Sequence, residues 1–388
     1  MVLFIYIFLY FLTLNLLEGY YRKNLVLVQT VFRHGERAPL KTYPNDPYKN
    51  HEWGVPLGTL TKAGVQQLVR LGKNLRRRYI YKYKLISRSY KAKEIQIRST
   101  QKNRTIESAY AFLKGFYNTK HARELPISTD FFGIDIPYMG GVTCKNYDIM
   151  IKSIKASYED TFYSKNKQFI DVLSKKTGIK NMKMDNVTLV YDTIYIQNKL
   201  NLPKPKWLSK KEFGLLKYLT YQVYRLQDGA RCFNLPENLN LMKINEGPLL
   251  KTMLNNFEIK KNRFKRNKKT LNKKYPYTKF KDSMKYVAIA AHDYTLANLF
   301  VIIFKEEFIR SKKLHFQFTA SLIMELYLNQ NYQYEIKILL SAKEGRRLVD
   351  LTHKAIGCNN SKRCLFNDFK NAMKNRVPKD IKQECFSS

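Results

Sequence analysis

The features that constrain the fold most are three short apolar segments. Each of them ends in arginine or is followed directly by arginine or histidine. Residues 25–32 are almost continuously apolar and rich in β-branched side chains, which is typical of a buried strand. Residues 95–98 and 286–291 have a similar pattern. Because helical patterns separate such strands, we predict an α/β fold with a mixed, mostly parallel central sheet flanked by helices.

Amphipathic helices are predicted next to the strands. Thr61 is suited to cap a helix in which Val65, Leu68 and Leu75 recur at helical spacing. A second helix is predicted over residues 104–116 and a third directly after residue 293. Residues 318–328 and 332–340 flank the turn sequence Asn-Gln-Asn, which predicts an antiparallel hairpin.

The middle of the chain has a different character. Over residues 146–274, strand patterns are sparse and helical patterns dominate, so we predict a mainly helical insertion into an α/β core of residues 20–145 and 275–388. The insertion ends in a basic run, residues 260–274, for which a solvated loop is the first expectation. Contact with a polyanion and proteolytic processing are the alternatives. Because the run has few aromatic residues, no nucleic-acid specificity is expected.

The N-terminus and the cysteines indicate an oxidising compartment. Residues 1–17 carry no charge, which favours a signal peptide over residues 1–19, with a retained anchor or a buried strand as alternatives. Five cysteines without metal-binding spacing argue against zinc, and the odd number leaves at least one unpaired within the chain. We therefore expect a glycoprotein that is secreted or in the lysosomal lumen, with glycan sequons at Asn186 and Asn359.

The charge of the chain points to anions in general. Lys plus Arg number 70 against 31 Asp plus Glu, a formal net charge of +39. A disordered polycation is excluded because 44% of the residues are apolar. The charge does not distinguish nucleic acid, anionic lipid, glycosaminoglycan and phosphorylated substrates.

The ends of the three predicted strands carry the candidate site. Ligands of open α/β sheets bind outside the carboxyl ends of the strands. If the three strands are neighbours, the candidate residues converge in one crevice, and three guanidinium groups there require an anion such as phosphate. The candidates are Arg33, His34, Arg37, Arg98, His292 and Asp293.

These residue types suggest phosphoryl transfer through a histidine. His34 would attack phosphorus, and Asp293 would donate a proton to the leaving oxygen, while the other four side chains hold the phosphate oxygens. The scheme needs no metal and no cofactor. Taken alone, Arg98 is more typical of a surface or salt-bridged residue, and a His-Asp pair at a strand end is more often structural.

Three motifs resemble those of the histidine acid phosphatases. Residues 33–39, Arg-His-Gly-Glu-Arg-Ala-Pro, resemble the R-H-G-x-R-x-P signature of that family. Residues 98–100 with 104–105 resemble its second phosphate-binding segment, and residues 291–295 resemble its H-D motif. The similarity covers most of the chain after residue 22, is weakest in the insertion, and is nearest to the prostatic and lysosomal-type branch.

The resemblance implies a role for each candidate. His34 would be the phosphorylated nucleophile and Asp293 the proton donor, and Arg104 would support the site without touching substrate. The implied phosphate contacts are Arg33, Arg37, Arg98 and His292.

The resemblance also implies two disulfides. Cys144 would pair with Cys385, and Cys358 with Cys364. A third bridge of the branch falls near Ile196 and Leu322, so it is absent, and Cys232 would be the odd thiol.

The function implied is that of an acid phosphatase acting on phosphate monoesters. The alternative is a secreted polyanion-binding protein that retains the fold without significant turnover. Loss of His34 or Asp293 would have marked that alternative, and both are present. The resemblance leaves the natural substrate open, and it raises a homodimer as an expectation.

Overall fold

The computed structural model describes residues 24–129, 144–262, 281–310, 316–361 and 363–386. The predicted signal peptide, residues 1–19, and residues 263–274 of the predicted basic run lie outside the described residues. Within the described ranges, none of the helices combines the length and apolar character that a membrane crossing requires.

One mixed sheet of seven strands organises the fold. The strands are β1 (Asn24–Arg33), β2 (Ile95–Ser99), β3 (Tyr286–Ala291), β4 (Ser321–Leu328), β5 (Tyr334–Ser341), β6 (Leu348–Asp350) and β7 (Cys364–Leu365). Their order in the sheet is β2, β3, β1, β4, β5, β6, and β7 also pairs with β5. The predicted α/β class with a mixed sheet is confirmed.

Among the strands of the described residues, parallel pairing is confined to three. β3 pairs in parallel with both β1 and β2, whereas the pairings of β1 with β4, β4 with β5, and β5 with β6 and β7 are antiparallel. The expectation of a mostly parallel sheet is corrected accordingly. The reason is that the predicted hairpin, β4–β5, joins β1 directly and extends the sheet without crossover helices.

The three parallel strands end at one edge of the sheet. Arg33, the last residue of β1, lies opposite Ala291, the last residue of β3. Ser99, the last residue of β2, lies opposite Ala290. The residues that follow these strands are therefore brought together, as the site prediction requires.

Two helices cover one face of these strands. They are α1 (Lys62–Arg76) and α2 (Asn103–Tyr117), and a π-helical turn, Arg77–Lys82, continues α1. Thr61 caps α1 as predicted, because its hydroxyl accepts a hydrogen bond from the Gly64 amide at 3.0 Å. Val28 and Phe32 of β1 belong to the same buried cluster as side chains of both helices.

The segment predicted as an insertion is helical where the structure describes it. Its helices are α3 (Lys145–Thr177), α4 (Met184–Lys199), α5 (Lys210–Gln227), α6 (Leu239–Asn245) and α7 (Gly247–Lys261). We call α3, α4 and α5 the insertion helices. They share a hydrophobic cluster of their own, which Tyr43 from the loop after β1 joins.

α7 packs differently, against the sheet. Met253 and Phe257 belong to the cluster that contains Leu27 and Val31 of β1. Lys260, the first residue of the predicted basic run, is buried and donates to the backbone oxygens of Asp282 and Met284 at 2.9 and 2.7 Å. This lysine therefore belongs to the core and not to a solvated loop.

Of the remaining α-helices, the first three complete the face that α7 covers, whereas the last packs against α3 and α6. They are α8 (Asp293–Ile303), α9 (Glu306–Arg310), α10 (Phe366–Ala372) and α11 (Ile381–Phe386). α8 is the helix predicted after the third strand, and it is almost wholly buried.

Both expected disulfides are present. Cys144 and Cys385 join the start of α3 to α11, and Cys358 and Cys364 close a short loop at β7. Cys232 is buried and outside both bridges. Burial raises the pKa of its thiol to about 12, so it is a poor nucleophile at neutral pH.

Candidate active site

The loop after β1 is fixed at the carboxyl edge of the sheet. The backbone amide of His34 donates to the oxygen of Ala291 at 3.0 Å. Gly35 lies so close to Gly64 of α1 that a Cβ on either residue would overlap backbone atoms of the other segment. The two glycines therefore let the loop and α1 approach, and this contact fixes the position of His34.

His34 has one ring nitrogen committed and one available. Its Nδ1 lies 2.8 Å from the oxygen of Gly35, which can only accept, so Nδ1 carries the hydrogen and Nε2 keeps a lone pair. Burial and then neighbouring side chains hold the pKa of His34 well below its usual range. The neighbours are Arg33, His292, Arg37 and Arg104. The neutral, nucleophilic form is thus favoured in mild acid.

Arg33 is buried and held on three sides. Its Nη1 donates to the oxygen of Phe316 at 2.7 Å, and its Nη2 lies 2.9 Å from Oδ2 of Asp293. The guanidinium carbon lies 4.3 Å from the ring centre of Phe318. A guanidinium held in this way acts as a preorganised charge beside His34.

Asp293 begins α8 directly after β3. Its Oδ1 accepts a hydrogen bond from the amide of Tyr294 at 3.2 Å, and its side chain is 28% exposed. The carboxyl group is thus fixed by Arg33 yet open to a substrate, as a proton donor needs to be.

Arg37 is bound by a carboxylate of the insertion helices. Its Nη2 donates to Oδ1 and Oδ2 of Asp192 on α4 at 3.1 and 3.2 Å. Its Nη1 donates to the oxygen of Ala38 at 3.2 Å, and the arginine side chain is 5% exposed. The site is therefore built from both the sheet edge and the insertion helices.

His292 forms the other wall of the site. Its ring centre lies 5.4 Å from that of His34. Nη2 of Arg104 lies 3.2 Å from Nδ1 of His292, and because arginine only donates, Nδ1 is the acceptor. Nε2 then carries the hydrogen and donates to the hydroxyl of Thr100 at 3.1 Å. Burial and then Arg104 hold the pKa of His292 well below its usual range.

Arg104 is the third arginine that the structure places beside the two histidines. Arg104 lies in the first turn of α2, which starts at the carboxyl edge. Arg98 lies within β2, level with Ile289 of β3, two residues before the level of Ala291. It is therefore set back from the edge by about 7 Å along the strands.

The three arginines around His34 share an unusual feature. The Nε–H group of each is buried and has no hydrogen-bond partner within the part of the chain that the structure describes. Buried donors are normally paired, so a set of three calls for an acceptor. An oxyanion is the ligand whose oxygens match such donors. The three residues are Arg33, Arg37 and Arg104.

Some site residues were missed in the sequence. Asp192 and Tyr195 lie on α4, three residues apart and thus on one helix face, and Tyr224 lies on α5. Burial raises the pKa of both tyrosines, and Arg33, Asp192 and Asp293 are among the charges that act on them. In the sequence, only the three-residue spacing of Asp192 and Tyr195 indicated that they share a helix face. It does not reveal which part of the protein that face contacts.

No candidate for metal ligation is found in the described ranges, where no group of three or more His, Cys, Asp or Glu side chains could hold an ion. Independence from metals and cofactors stays a prediction.

Comparison with known proteins identifies the family. Residues 24–341 match the model of the histidine phosphatase superfamily, branch 2. The chain belongs to this family, which confirms the resemblance inferred from the three motifs, and with it the enzyme class, a phosphomonoester hydrolase.

Curated relatives agree over most of the chain. The lysosomal acid phosphatase of Rattus norvegicus is 26% identical over 375 residues, which cover 94% of this chain and 80% of that protein. The lysosomal acid phosphatase of Homo sapiens is 26% identical over 377 residues, with the same coverage of both chains. The prostatic acid phosphatase of Rattus norvegicus is 29% identical over 243 residues, which cover 58% of this chain and 63% of that protein.

Solved structures share the fold. The phytase of Citrobacter braakii superposes with a TM-score of 0.63 at 16% identity, covering 92% of this chain and all of that one. The Hafnia alvei phytase in complex with tartrate gives a TM-score of 0.64 at 15% identity, covering 94% and 99%. At these identities the likeness concerns the fold alone.

Proposed function

We propose that the protein is an acid phosphatase that hydrolyses phosphate monoesters through a phosphohistidine on His34, with Asp293 as general acid. The observation that carries the proposal is the lone pair of His34 Nε2 amid three arginines whose buried Nε–H groups have no partner among the described residues. A nucleophile and a set of oxyanion donors thus occupy the same site.

In the first step, Nε2 of His34 attacks phosphorus and the phosphorus–oxygen ester bond breaks. Asp293 takes up the proton of the bound monoester monoanion and gives it to the leaving oxygen, so the alcohol departs neutral. Arg33, which bonds the Asp293 carboxylate in the free enzyme, is placed to stabilise the carboxylate that this transfer leaves.

In the second step, water attacks the phosphorus of the phosphohistidine. Asp293, now a carboxylate, accepts the proton of the water as the phosphorus–nitrogen bond breaks. The bonding electron pair returns to Nε2, and inorganic phosphate takes the proton from Asp293 as it leaves, which returns the enzyme to its starting protonation state.

We assign the phosphate oxygens to Arg33, Arg37, Arg104 and His292. This assignment replaces the predicted Arg98 by Arg104, since Arg104 contacts His292 and its charge lowers the pKa of His34. Tyr195 and Tyr224 would line the leaving-group side, because the insertion helices bring them near Asp293.

We further propose that the chain is exported to a lysosomal or extracellular compartment. The two disulfides and the lysosomal and prostatic relatives support this proposal. A predicted signal peptide over residues 1–19 would be absent from the N-terminal sequence of the exported protein. An unprocessed N-terminus would contradict it.

The experiment that tests the phosphatase proposal measures phosphate release from an aryl phosphate between pH 4 and 6. The wild-type protein should turn over, and His34→Ala should lose at least about 10³-fold in kcat/KM while remaining folded. His121→Ala is the matched control, since His121 is exposed and pairs with Glu124. Turnover by His34→Ala at the wild-type rate would refute the assignment of His34 as the nucleophile.

The intermediate can be trapped directly. Rapid mixing with labelled substrate followed by an alkaline quench should leave an acid-labile phosphoryl group on His34. Label on a peptide other than that of residue 34 would refute the covalent route even if the enzyme is active.

A further inference from the structure

Asp192 is a site carboxylate with no step in the proposed reaction. It accepts two hydrogen bonds from Nη2 of Arg37, whose side chain is 5% exposed, while its own side chain is 18% exposed. A buried guanidinium needs a compensating partner, and the Asp192 carboxylate on α4 supplies it.

The position of Asp192 is built into the fold. Thr193, the next residue of α4, donates to the oxygen of Lys41 at 2.8 Å. One turn later, Gln197 donates to both carboxylate oxygens of Asp46 at 2.9 and 2.8 Å. Successive turns of α4 are therefore anchored to the segment that follows Arg37, which fixes where the Asp192 carboxylate lies.

The contact has two separable consequences. Because Asp192 holds Nη2 of Arg37, it fixes the plane of the guanidinium and leaves the unpaired Nε–H group in place for a phosphate oxygen. Its negative charge beside Arg37 also repels a bound phosphate, which favours release of the product.

We propose that Asp192 is a positioning residue that orients Arg37 toward the phosphate, and that its charge keeps the affinity for released phosphate low. The inference rests on the proposed function, because it takes the phosphate site as given. With this role for Asp192, the insertion helices contribute to the phosphate site as well as lining the leaving-group side.

Two substitutions separate orientation from charge. Asp192→Asn keeps an acceptor oxygen for Arg37 and removes the charge, so inorganic phosphate should bind about 5- to 10-fold more tightly. Asp192→Ala removes both, so Arg37 loses its orientation and phosphate should bind about 10-fold more weakly than to Asp192→Asn. Asp192→Glu, which restores a carboxylate, should return the phosphate affinity toward the wild-type value, below that of Asp192→Asn.

The test is calorimetric titration of inorganic phosphate into the wild-type protein and the variants, with thermal unfolding recorded for each. Asp185→Asn is the matched control, since Asp185 lies on the same helix and pairs with Lys155. The Asn variant should bind phosphate more tightly than wild type, whereas the Ala variant should bind it no more tightly than wild type. Equal changes in both, or none in Asp192→Asn, would overturn the inference.

The titration does not depend on turnover, so the two proposals can fail separately. A wild-type protein that binds phosphate but releases none from an aryl phosphate refutes the function and leaves the test of Asp192 valid. Where turnover is present, Asp192→Asn should lower kcat and KM together, because a product that leaves more slowly limits both. An Asp192→Asn variant with wild-type kcat and a raised KM would contradict the inference.

Discussion

Two buried ionic clusters lie on the same sheet, and they differ in how completely their donors are paired. The first, which we name the phosphate cluster after its proposed ligand, is formed by His34, His292, Asp293, Asp192 and three arginines at the carboxyl edge. The second is the Glu325 cluster, formed by Arg78, Tyr79, Glu325 and Tyr327. Val28 of β1, opposite Glu325, lies five residues before Arg33, about 16 Å along the strand.

The Glu325 cluster is complete in itself. Glu325 is fully buried, and its Oε1 accepts from Nε of Arg78 at 2.8 Å and from the hydroxyl of Tyr79 at 2.7 Å. Its Oε2 accepts from Nη2 of Arg78 at 3.0 Å and from Tyr327 at 2.6 Å. Burial and then Glu325 raise the pKa of Tyr79, which keeps its hydroxyl a donor.

The phosphate cluster is incomplete by the same measure. Its three arginines face two carboxylates, and each keeps a buried Nε–H group without a partner among the described residues. Both clusters are buried and charged, so burial and charge do not distinguish a structural cluster from a catalytic one. Three unpaired guanidinium donors around one histidine do, because buried donors are normally paired and such a concentration of them calls for a ligand.

The largest expected effect is on stability, at the complete cluster. Glu325→Ala leaves Arg78 and two tyrosine hydroxyls without their acceptor and should lower the free energy of unfolding by at least about 3 kcal/mol. Urea denaturation measures this loss, and kcat/KM of the folded fraction should stay near wild type. If Glu325→Ala keeps wild-type stability but loses activity, the Glu325 cluster serves catalysis and not stability, which contradicts the comparison.

The next effect separates Arg104 from Arg98. Arg104→Ala removes a donor from the proposed phosphate site and should lower kcat/KM about 10²-fold with little change in unfolding. Arg98→Ala is the control, because Arg98 lies back from the edge within β2. It should change kcat/KM by only a few-fold. A larger loss for Arg98→Ala than for Arg104→Ala would restore the role that the sequence motif suggested.

A smaller effect concerns the acid limb of the pH profile. The pKa of His34 lies below its ordinary value of 6.5, so the nucleophile stays neutral below that pH. Removing a neighbouring cation in Arg104→Gln makes protonation of His34 easier, which raises its pKa and should move the acid limb of kcat/KM to higher pH. Glu325→Gln should leave the limb unchanged. If the acid limb does not move in Arg104→Gln, protonation of a group other than His34 determines it.

The sequence predicted the parts of the site that depend on strand ends. The apolar runs located β1, β2 and β3, and their common edge follows from parallel pairing, so the proximity of His34, Arg33, His292 and Asp293 could be predicted. Arg98 was preferred to Arg104 because strand position alone does not say how far a side chain lies from the edge. The first turn of α2 does reach it.

Asp192 could not be found in this way. Its contact with Arg37 depends on how α4 docks against the loop after β1, through Thr193 and Gln197. Such a contact joins residues 155 positions apart by tertiary packing, and no local pattern encodes it. The same reasoning applies to the mixed sheet, since the side on which the β4–β5 hairpin joins is decided by packing as well.

The smallest expected effect comes from the net charge of +39, most of which belongs to neither cluster. If this charge steers anionic substrates toward the carboxyl edge, kcat/KM should fall a few-fold as ionic strength rises from about 0.01 to 0.15 M, where the screening length shortens from about 30 to 8 Å. Stopped assays at substrate concentrations well below KM measure this fall, and kcat should change less.

The Glu325 cluster offers the contrast, because buried pairs are screened much less than exposed charges. The loss of stability in Glu325→Ala should therefore be the same at both ionic strengths. A flat kcat/KM would mean that the excess charge plays no part in substrate capture, and that the unpaired donors of the site act alone.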